Sequence, residues 1–157
     1  MFMRHAKSAW KANVPTDHER PLNERGRRDA PRVGKRLAQL GWVPDLVLGS
    51  DSRRTQETWE RMQESFPNTP VRFTRALYAG GPAELRAEVA RLAPDVRTVL
   101  LLGHNPGWEA AVKVLSAREV RMTTANVVLL EGEGGTWSEA LRRSRWIVAG
   151  VVRPKEL

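Results

Sequence analysis

Residues 98–106 read Thr-Val-Leu-Leu-Leu-Gly-His-Asn-Pro, and this stretch decides the fold that we predict. The run at 99–102 is continuously apolar, which is typical of a strand buried on both faces within a mainly parallel sheet. Asn105 and Pro106 favour the start of a helix, with Asn105 as the cap and Pro106 in the first turn. A central strand that leads directly into a helix predicts an α/β fold, with His104 at the junction.

The rest of the chain alternates between short apolar runs and amphipathic stretches, which is typical of an α/β domain. Asn23 is the predicted cap of the first helix, in which Pro31 allows a kink or a later start. With 157 residues the chain fits one domain, residues 1–157, built on a mainly parallel central sheet flanked by helices. The predicted strands are 1–4, 45–49, 71–74, 98–103, 127–130 and 146–152, and the predicted helices are 24–40, 52–65, 82–92 and 106–117.

Composition excludes several classes of protein. The chain has no cysteine, which excludes disulfides, thiolate metal sites and cysteine nucleophiles. No apolar run approaches the ~20 residues of a membrane helix, and no export signal is visible, so we expect a cytoplasmic protein without membrane attachment. The net charge of +8 is compatible with nucleic-acid binding, but Lys and Arg are scattered among acidic residues. We therefore expect no specific nucleic-acid partner and a general attraction for anionic substrates.

Histidine and arginine side chains follow three of the predicted strands. Arg4 and His5 follow the first strand, His104 follows the central strand, and Arg53 and Arg54 follow the second. The carboxyl ends of parallel strands meet at one edge of a sheet, where helix N-termini and the forked arginine side chain bind anions. The sequence therefore predicts a phosphate-like anion site built from two imidazoles and at least two arginines.

Each of these residues also has an ordinary structural interpretation. A single histidine is usually exposed or caps a helix, and His18, in the polar stretch 15–20, is predicted to be a surface-loop residue. Adjacent arginines point about 100° apart on a helix, so one of Arg53 and Arg54 is expected on the surface. Glu57 stands at helical spacing to pair with either of them.

The same residues carry a resemblance to a known family. Residues 3–8, Met-Arg-His-Ala-Lys-Ser, resemble the Arg-His-Gly signature of the histidine phosphatase superfamily, in the form seen in SixA-like phosphohistidine phosphatases. The resemblance implies a phosphoglycerate-mutase-like α/β fold in a minimal version without a lid domain. Further stretches that resemble the family follow in order at 17–26, 50–58, 77–79, 103–107 and 152–157.

The resemblance implies a role for each residue of the predicted anion site. His5 matches the nucleophile that forms a covalent phosphohistidine. Arg4, Arg54 and His104 match the catalytic residues that bind the phosphate, and Asn105 is expected to assist phosphate binding at the helix start.

Two departures from the family pattern affect the expected site. Asp51 stands where the family usually has proline, and we expect it to restrain Arg54 by an ion pair. Arg75 stands where many larger relatives carry an acidic proton donor, which leaves the general acid unassigned. Glu84 is the nearest candidate for that donor, although its ordinary role is that of a solvent-facing residue in the first turn of a helix.

The resemblance implies a phosphatase that acts on phosphohistidine of a protein, such as a histidine-phosphotransfer domain, because an open site admits a large substrate. We expect no cofactor and no metal, since no His-x-x-x-His pattern or acidic cluster supplies the ligands of a metallohydrolase. A small-molecule phosphomonoester phosphatase and a phosphoglycerate-mutase-like enzyme would use the same residues. A non-catalytic anion-binding module is the remaining alternative, and it would keep its affinity when His5 is replaced.

Overall fold

The predicted central strand is the middle of the observed sheet. The structure is a computed structural model that describes residues 1–143 and 145–157. The strands are β1 (Phe2–Arg4), β2 (Leu46–Ser50), β3 (Val71–Thr74), β4 (Val99–Gly103), β5 (Val127–Glu131) and β6 (Ile147–Val152). The helices are α1 (Glu24–Gln39), α2 (Arg53–Met62), α3 (Pro82–Val89), α4 (Gly107–Ser116) and α5 (Trp137–Arg143).

The six strands form one mixed sheet in the order β3-β2-β4-β1-β5-β6. The four strands from β3 to β1 are parallel, while β5 runs antiparallel to β1 and β6 runs antiparallel to β5. The predicted α/β class, with a central sheet flanked by helices, is therefore confirmed. The antiparallel pairing of β5 and β6 was not predicted, because an apolar run does not encode the direction of its strand.

Every residue of β4 is buried, and its side chains feed two separate cores. Leu100 and Leu102 pack with residues of α1 and α2 on one face of the sheet. Leu101 packs on the other face with residues of α3 and α4, including the fully buried Trp108. Burial on both faces explains the continuous apolar run in the sequence.

Helix α1 begins where the sequence predicted and continues through its proline. Asn23 caps α1 as predicted, since its side chain accepts a hydrogen bond of 2.9 Å from the N–H of Gly26. Pro31 lies inside α1, so the alternative of a later start is wrong. The buried stripe of Ala30, Val33 and Leu37 holds the helix together across the proline, and packing of this kind outweighs local propensity.

All four predicted helices differ from their predicted limits, α1 only by ending at Gln39. Helix α4 begins at Gly107 with Pro106 at the cap position, so Asn105 is not the cap that we expected. Helix α2 ends at Met62 and continues as a 3₁₀ turn, and α3 ends at Val89. Within the described ranges, no helix is both long and apolar enough to cross a bilayer.

Candidate active site

The pairing of β1 with β4 brings the two histidines together. Arg4 and Gly103 are register partners, and the N–H of His5 donates to the carbonyl of Gly103 at 2.9 Å. The residue after each strand is therefore a histidine at the same edge of the sheet. The ring centroids of His5 and His104 lie 5.1 Å apart.

Both imidazoles line a cavity of about 670 Å³ at this edge. Its walls come from the segment after β1, the start of α2, the loop before α3 and the loop between β4 and α4. Five of the predicted site residues line it, whereas Arg53 and Glu84 do not. The lining residues that matter here are Arg4, His5, Lys7, Trp10, Asp17, Arg20, Arg54, Tyr78, His104 and Asn105.

His5 is held in one orientation and kept neutral. Its Nδ1 donates to the carbonyl of Ala6 at 2.7 Å, and the N–H of Ala6 in turn donates to Oγ1 of Thr58 on α2 at 3.0 Å. Burial lowers the pKa of His5 to about 3, and the next cause is the electrostatic repulsion that a protonated His5 would meet from His104 if that ring were also protonated. The imidazole is therefore uncharged at neutral pH, and its Nε2 carries a lone pair.

His104 has a defined tautomer that follows from its neighbours. Arginine can only donate, so the contact of 3.5 Å between Nη2 of Arg54 and Nδ1 of His104 makes Nδ1 the acceptor. The proton then resides on Nε2, which donates to Oγ of Ser50 at 2.8 Å. Burial and the charge of Arg54 lower the pKa of His104 to about 3, so this ring is also neutral.

The two adjacent arginines of α2 have different surroundings, as the helical geometry predicts. Arg54 is only 5% exposed and faces the cavity. Arg53 has a side chain that is 49% exposed, and it pairs with Glu60 at 3.3 Å. The expected partner Glu57 binds neither of them, because its buried carboxylate accepts from the N–H of Leu22 and from Arg27.

The arginines of the cavity retain unused hydrogen-bond donors. Nη1 of Arg4 donates to the carbonyl of Met122 at 3.1 Å. Among the described residues, however, Nε of Arg4 and Nε of Arg54 are buried and have no acceptor. Buried donors are almost always satisfied, so two unpaired N–H groups on adjacent cations indicate capacity for an anion.

Asp17 belongs to the site, although no role was predicted for it. Its Oδ2 accepts from Nη2 of Arg54 at 2.9 Å and from the hydroxyl of Tyr78 at 2.7 Å. Its Oδ1 accepts from Nη2 of Arg20 at 2.8 Å. The hydrogen bond from Tyr78, followed by those from Arg20 and the charge of Arg54, holds the pKa of Asp17 far below its usual range. The available signal was its place in the family-like stretch 17–26.

Asp51 does not restrain Arg54, so this expectation was wrong. Helix α2 begins at Arg53, so Asp51 lies outside the helix. Its carboxylate lies 2.7 Å from Nε2 of His18 and 3.8 Å from Arg75. His18, predicted to be a surface-loop residue, lies in a 3₁₀ turn (Asp17–Glu19), and its half-buried ring packs edge-on against Tyr78.

The structure does not bring Glu84 to the cavity as a proton donor. Its exposed carboxylate accepts a hydrogen bond of 2.8 Å from the N–H of Gly81 at the start of α3. Backbone hydrogen bonds lower the pKa of Glu84, which stabilises the anion and makes it a poorer acid. Its ordinary role, as a first-turn residue that stabilises its own helix, is the one that the structure supports.

Asn105 lines the cavity, but its side-chain donors are already used. Its Nδ2 donates to Oε1 of Glu109 and to the carbonyl of Met122, both at 2.8 Å. Two acceptors on that side fix the orientation of the amide, because reversing it would place oxygen against oxygen. The side chain therefore has no donor left for phosphate, and the expected backbone contribution of Asn105 to phosphate binding stays a prediction.

Comparisons with known proteins show the family and the fold of the chain. The profile of the histidine phosphatase superfamily (branch 1) matches residues 1–95. An uncharacterized chloroplastic protein of Arabidopsis thaliana is 37% identical over 98% of this chain and 77% of its own length. The structure of a candidate phosphohistidine phosphatase SixA from Nakamurella multipartitia matches with a TM-score of 0.84 at 28% identity, covering 97% of this chain and 93% of that one. The mitochondrial serine/threonine-protein phosphatase PGAM5 of Xenopus tropicalis is 31% identical over 60% of this chain and 33% of its own.

Proposed function

The chain belongs to the histidine phosphatase superfamily, and we propose that it dephosphorylates phosphohistidine on a protein through a transient phosphohistidine on His5. The likeness to a SixA structure at 28% identity supports the choice of phosphohistidine as substrate. Independence from metals and cofactors and a location in the cytoplasm are parts of the same proposal. Among the described residues, no group of three or more His, Asp or Glu side chains could hold a metal ion.

The state of His5 is the observation that carries the proposal. The ring is buried and neutral, and the Ala6 carbonyl holds Nδ1, which leaves the lone pair of Nε2 for attack on phosphorus. In the first step the bond from Nε2 to phosphorus forms, while the bond from phosphorus to the substrate's nitrogen breaks. In the second step a water oxygen bonds to phosphorus and the Nε2–phosphorus bond breaks. Inorganic phosphate leaves, and His5 is neutral again.

The surrounding cations account for stabilisation of the transferred group. Phosphoryl transfer places negative charge on three equatorial oxygens, and fixed donors stabilise that charge. Arg4 and Arg54 supply permanent charges and the unpaired N–H groups. An incoming phosphate dianion would raise the pKa of His104 and favour its imidazolium form, which donates from both ring nitrogens.

The proposed preference for phosphohistidine follows from the absence of a proton donor. Asp17 is the one carboxylate among the described residues that line the cavity, and Tyr78, Arg20 and Arg54 keep it ionised. An alkyl phosphate ester needs a placed acid to protonate its leaving oxygen, an effect typically worth ~10² to 10⁴ in rate. The imidazole of phosphohistidine takes its proton from solvent, so an enzyme without an acid loses less on that substrate.

The test is kcat/KM for three substrates: a phosphohistidine-bearing histidine-phosphotransfer domain, p-nitrophenyl phosphate and a phosphoserine peptide. We expect efficiency to decline in that order, since the aryl ester has a better leaving group than the alkyl ester. The likeness to PGAM5, a serine/threonine-protein phosphatase, makes phosphoserine the second candidate substrate. Equal efficiency on phosphoserine would contradict the proposal and favour that candidate. Binding without turnover in the wild type would instead indicate an anion-binding module.

A further inference from the structure

Trp10 is the most exposed large apolar side chain among the described residues, and it stands at the cavity of the site. The residue is 73% exposed, yet it lines the same cavity as His5. A single exposed apolar side chain is ordinary on a protein surface. A large aromatic side chain at the entrance of a catalytic cavity requires a more specific explanation.

The ring of Trp10 is held by a buried cation. Cζ of Arg20 lies 3.9 Å from the centre of the ring, and Arg20 itself is only 7% exposed. The guanidinium is fixed in turn, because it donates to Oγ of Ser8 at 2.6 Å and to the carboxylate of Asp17. An isolated antiparallel β-bridge between Ser8 and Leu22 joins the two ends of the segment that carries Trp10 and Arg20. One face of the indole is thus anchored, while the rest of the ring faces outward.

Such an arrangement suits protein recognition better than recognition of a small ester. A pre-ordered aromatic side chain loses little conformational entropy when a partner covers it, and exposed tryptophans dominate many protein interfaces. The residues that would bind and transfer the phosphoryl group lie inside the cavity, whereas the ring of Trp10 faces outward. A small phosphate ester has no atoms with which to cover a ring that projects outward from the entrance.

The charges beside Trp10 indicate the character of the partner. Lys7 lines the cavity, and Lys11 is exposed next to the tryptophan. In the part of the chain that the structure describes, Lys113 is the one lysine paired with a carboxylate, so both of these ammonium groups are available to a partner. The net charge of the chain, +8, adds a long-range attraction for acidic proteins.

We propose that Lys7, Trp10 and Lys11 form a docking rim for an acidic protein surface that presents phosphohistidine to His5. The inference rests on the proposed function and adds the place and the chemistry of substrate docking. Trp10 supplies the apolar contact at the centre, and the two lysines meet carboxylates around it. Arg20 is a positioning residue, since it acts on the partner only through the ring that it holds.

The test compares a protein substrate with a small one in the same variants. The protein probe is an acidic histidine-phosphotransfer domain phosphorylated with phosphoramidate, and the small probe is p-nitrophenyl phosphate. Trp10→Ala should raise KM for the protein about thirtyfold, the size of an interface hot spot, with kcat changed little. The loss in kcat/KM should be at least tenfold larger for the protein than for p-nitrophenyl phosphate. Ile147→Ala is the matched control, because Ile147 is 68% exposed and lies outside this cavity.

Two further variants separate docking from damage to the fold. Trp10→Phe keeps an aromatic ring over Arg20 and should recover most of the affinity for the protein. Lys11→Glu should lower kcat/KM for the protein about tenfold at low salt and flatten its decline with ionic strength. Equal kinetics of Trp10→Ala and Ile147→Ala on the protein would overturn the docking rim alone. A wild-type enzyme that cleaves p-nitrophenyl phosphate and ignores the phosphoprotein would overturn the proposed function and the rim together.

Discussion

Replacement of Arg54 by alanine should lower turnover strongly, whereas the same change at Arg53 should leave it nearly unaltered. Arg54 lines the cavity, contacts His104 and has a buried Nε without an acceptor. Arg53 is half exposed and touches only a surface carboxylate. The two positions are adjacent in sequence and begin the same helix, so each is a control for the other.

The expected magnitude follows from the contacts of each side chain. Loss of one positioned donor to a developing charge typically lowers kcat by ~10² to 10³. An exposed ion pair such as that of Arg53 contributes only ~0 to 1 kcal/mol to stability. The carboxylate of Asp17 that accepts from Arg54 is half exposed, and solvent weakens the interaction. Its loss should therefore lower the free energy of unfolding by no more than ~1 to 2 kcal/mol. Activity should therefore fall far more than stability.

The assay is steady-state hydrolysis of p-nitrophenyl phosphate, with urea unfolding of each variant measured in parallel. Arg54→Lys should be intermediate, because an ammonium keeps the charge without the planar fork. Equal losses in the two alanine variants would refute the assignment of Arg54. A bound sulfate or phosphate that contacts Arg53 instead of Arg54 would refute it independently.

Three further results are expected. Asp17→Asn should lower kcat/KM about tenfold, because Arg54 loses the carboxylate that positions it. Burial and the hydrogen bond to Asp17 raise the pKa of Tyr78, so the same variant should lower that pKa, which ultraviolet titration of the phenol would show. The pKa of His5 and of His104 is about 3 in the fold and about 6.5 in the unfolded chain, so the unfolded state binds more protons in that range. The free energy of unfolding should then fall as the pH falls from 6.5 towards 3. In His5→Gln, urea unfolding should show that the free energy of unfolding depends less steeply on pH. An unchanged dependence would contradict the buried neutral imidazole of His5. EDTA should leave activity intact, and activity that it abolishes and a divalent ion restores would revive the metallohydrolase alternative.

The central part of the site could be predicted because strand ends and helix starts are local signals. The apolar run before His104 and the short strand before His5 each give a position along the chain. Parallel pairing then brings the two positions to one edge of the sheet. The angle between adjacent residues of a helix predicts that only one of Arg53 and Arg54 faces the site. The resemblance to the family motif, not the helical geometry, selected Arg54.

The contribution of Asp17 could not be predicted in this way, because it depends on how a loop returns to the cavity. The segment between Ser8 and Leu22 folds back, and Arg20 ties it to its own base. Only that return places the carboxylate of Asp17 beside Arg54, which is 37 positions later in the chain. The departure from the family pattern instead drew attention to Asp51, whose carboxylate contacts His18 and Arg75 in the fold.

The helix start after β4 was mispredicted for a related reason. The pair Asn-Pro has the local chemistry of a cap and a first turn. In the fold, Asn105 uses its amide to join Glu109 to the carbonyl of Met122, a residue 17 positions further along the chain. The side chain of Asn105 therefore makes a tertiary contact instead of capping the helix as its local propensity predicted.

The most direct test of the account is to trap the covalent intermediate. The enzyme is mixed with substrate, quenched rapidly without acid, since phosphohistidine is acid-labile, and digested for mass spectrometry. We predict that phosphate is found on His5 and that His5→Ala forms no intermediate and turns over no substrate. Phosphate on another residue, or near-normal turnover by His5→Ala, would contradict the account.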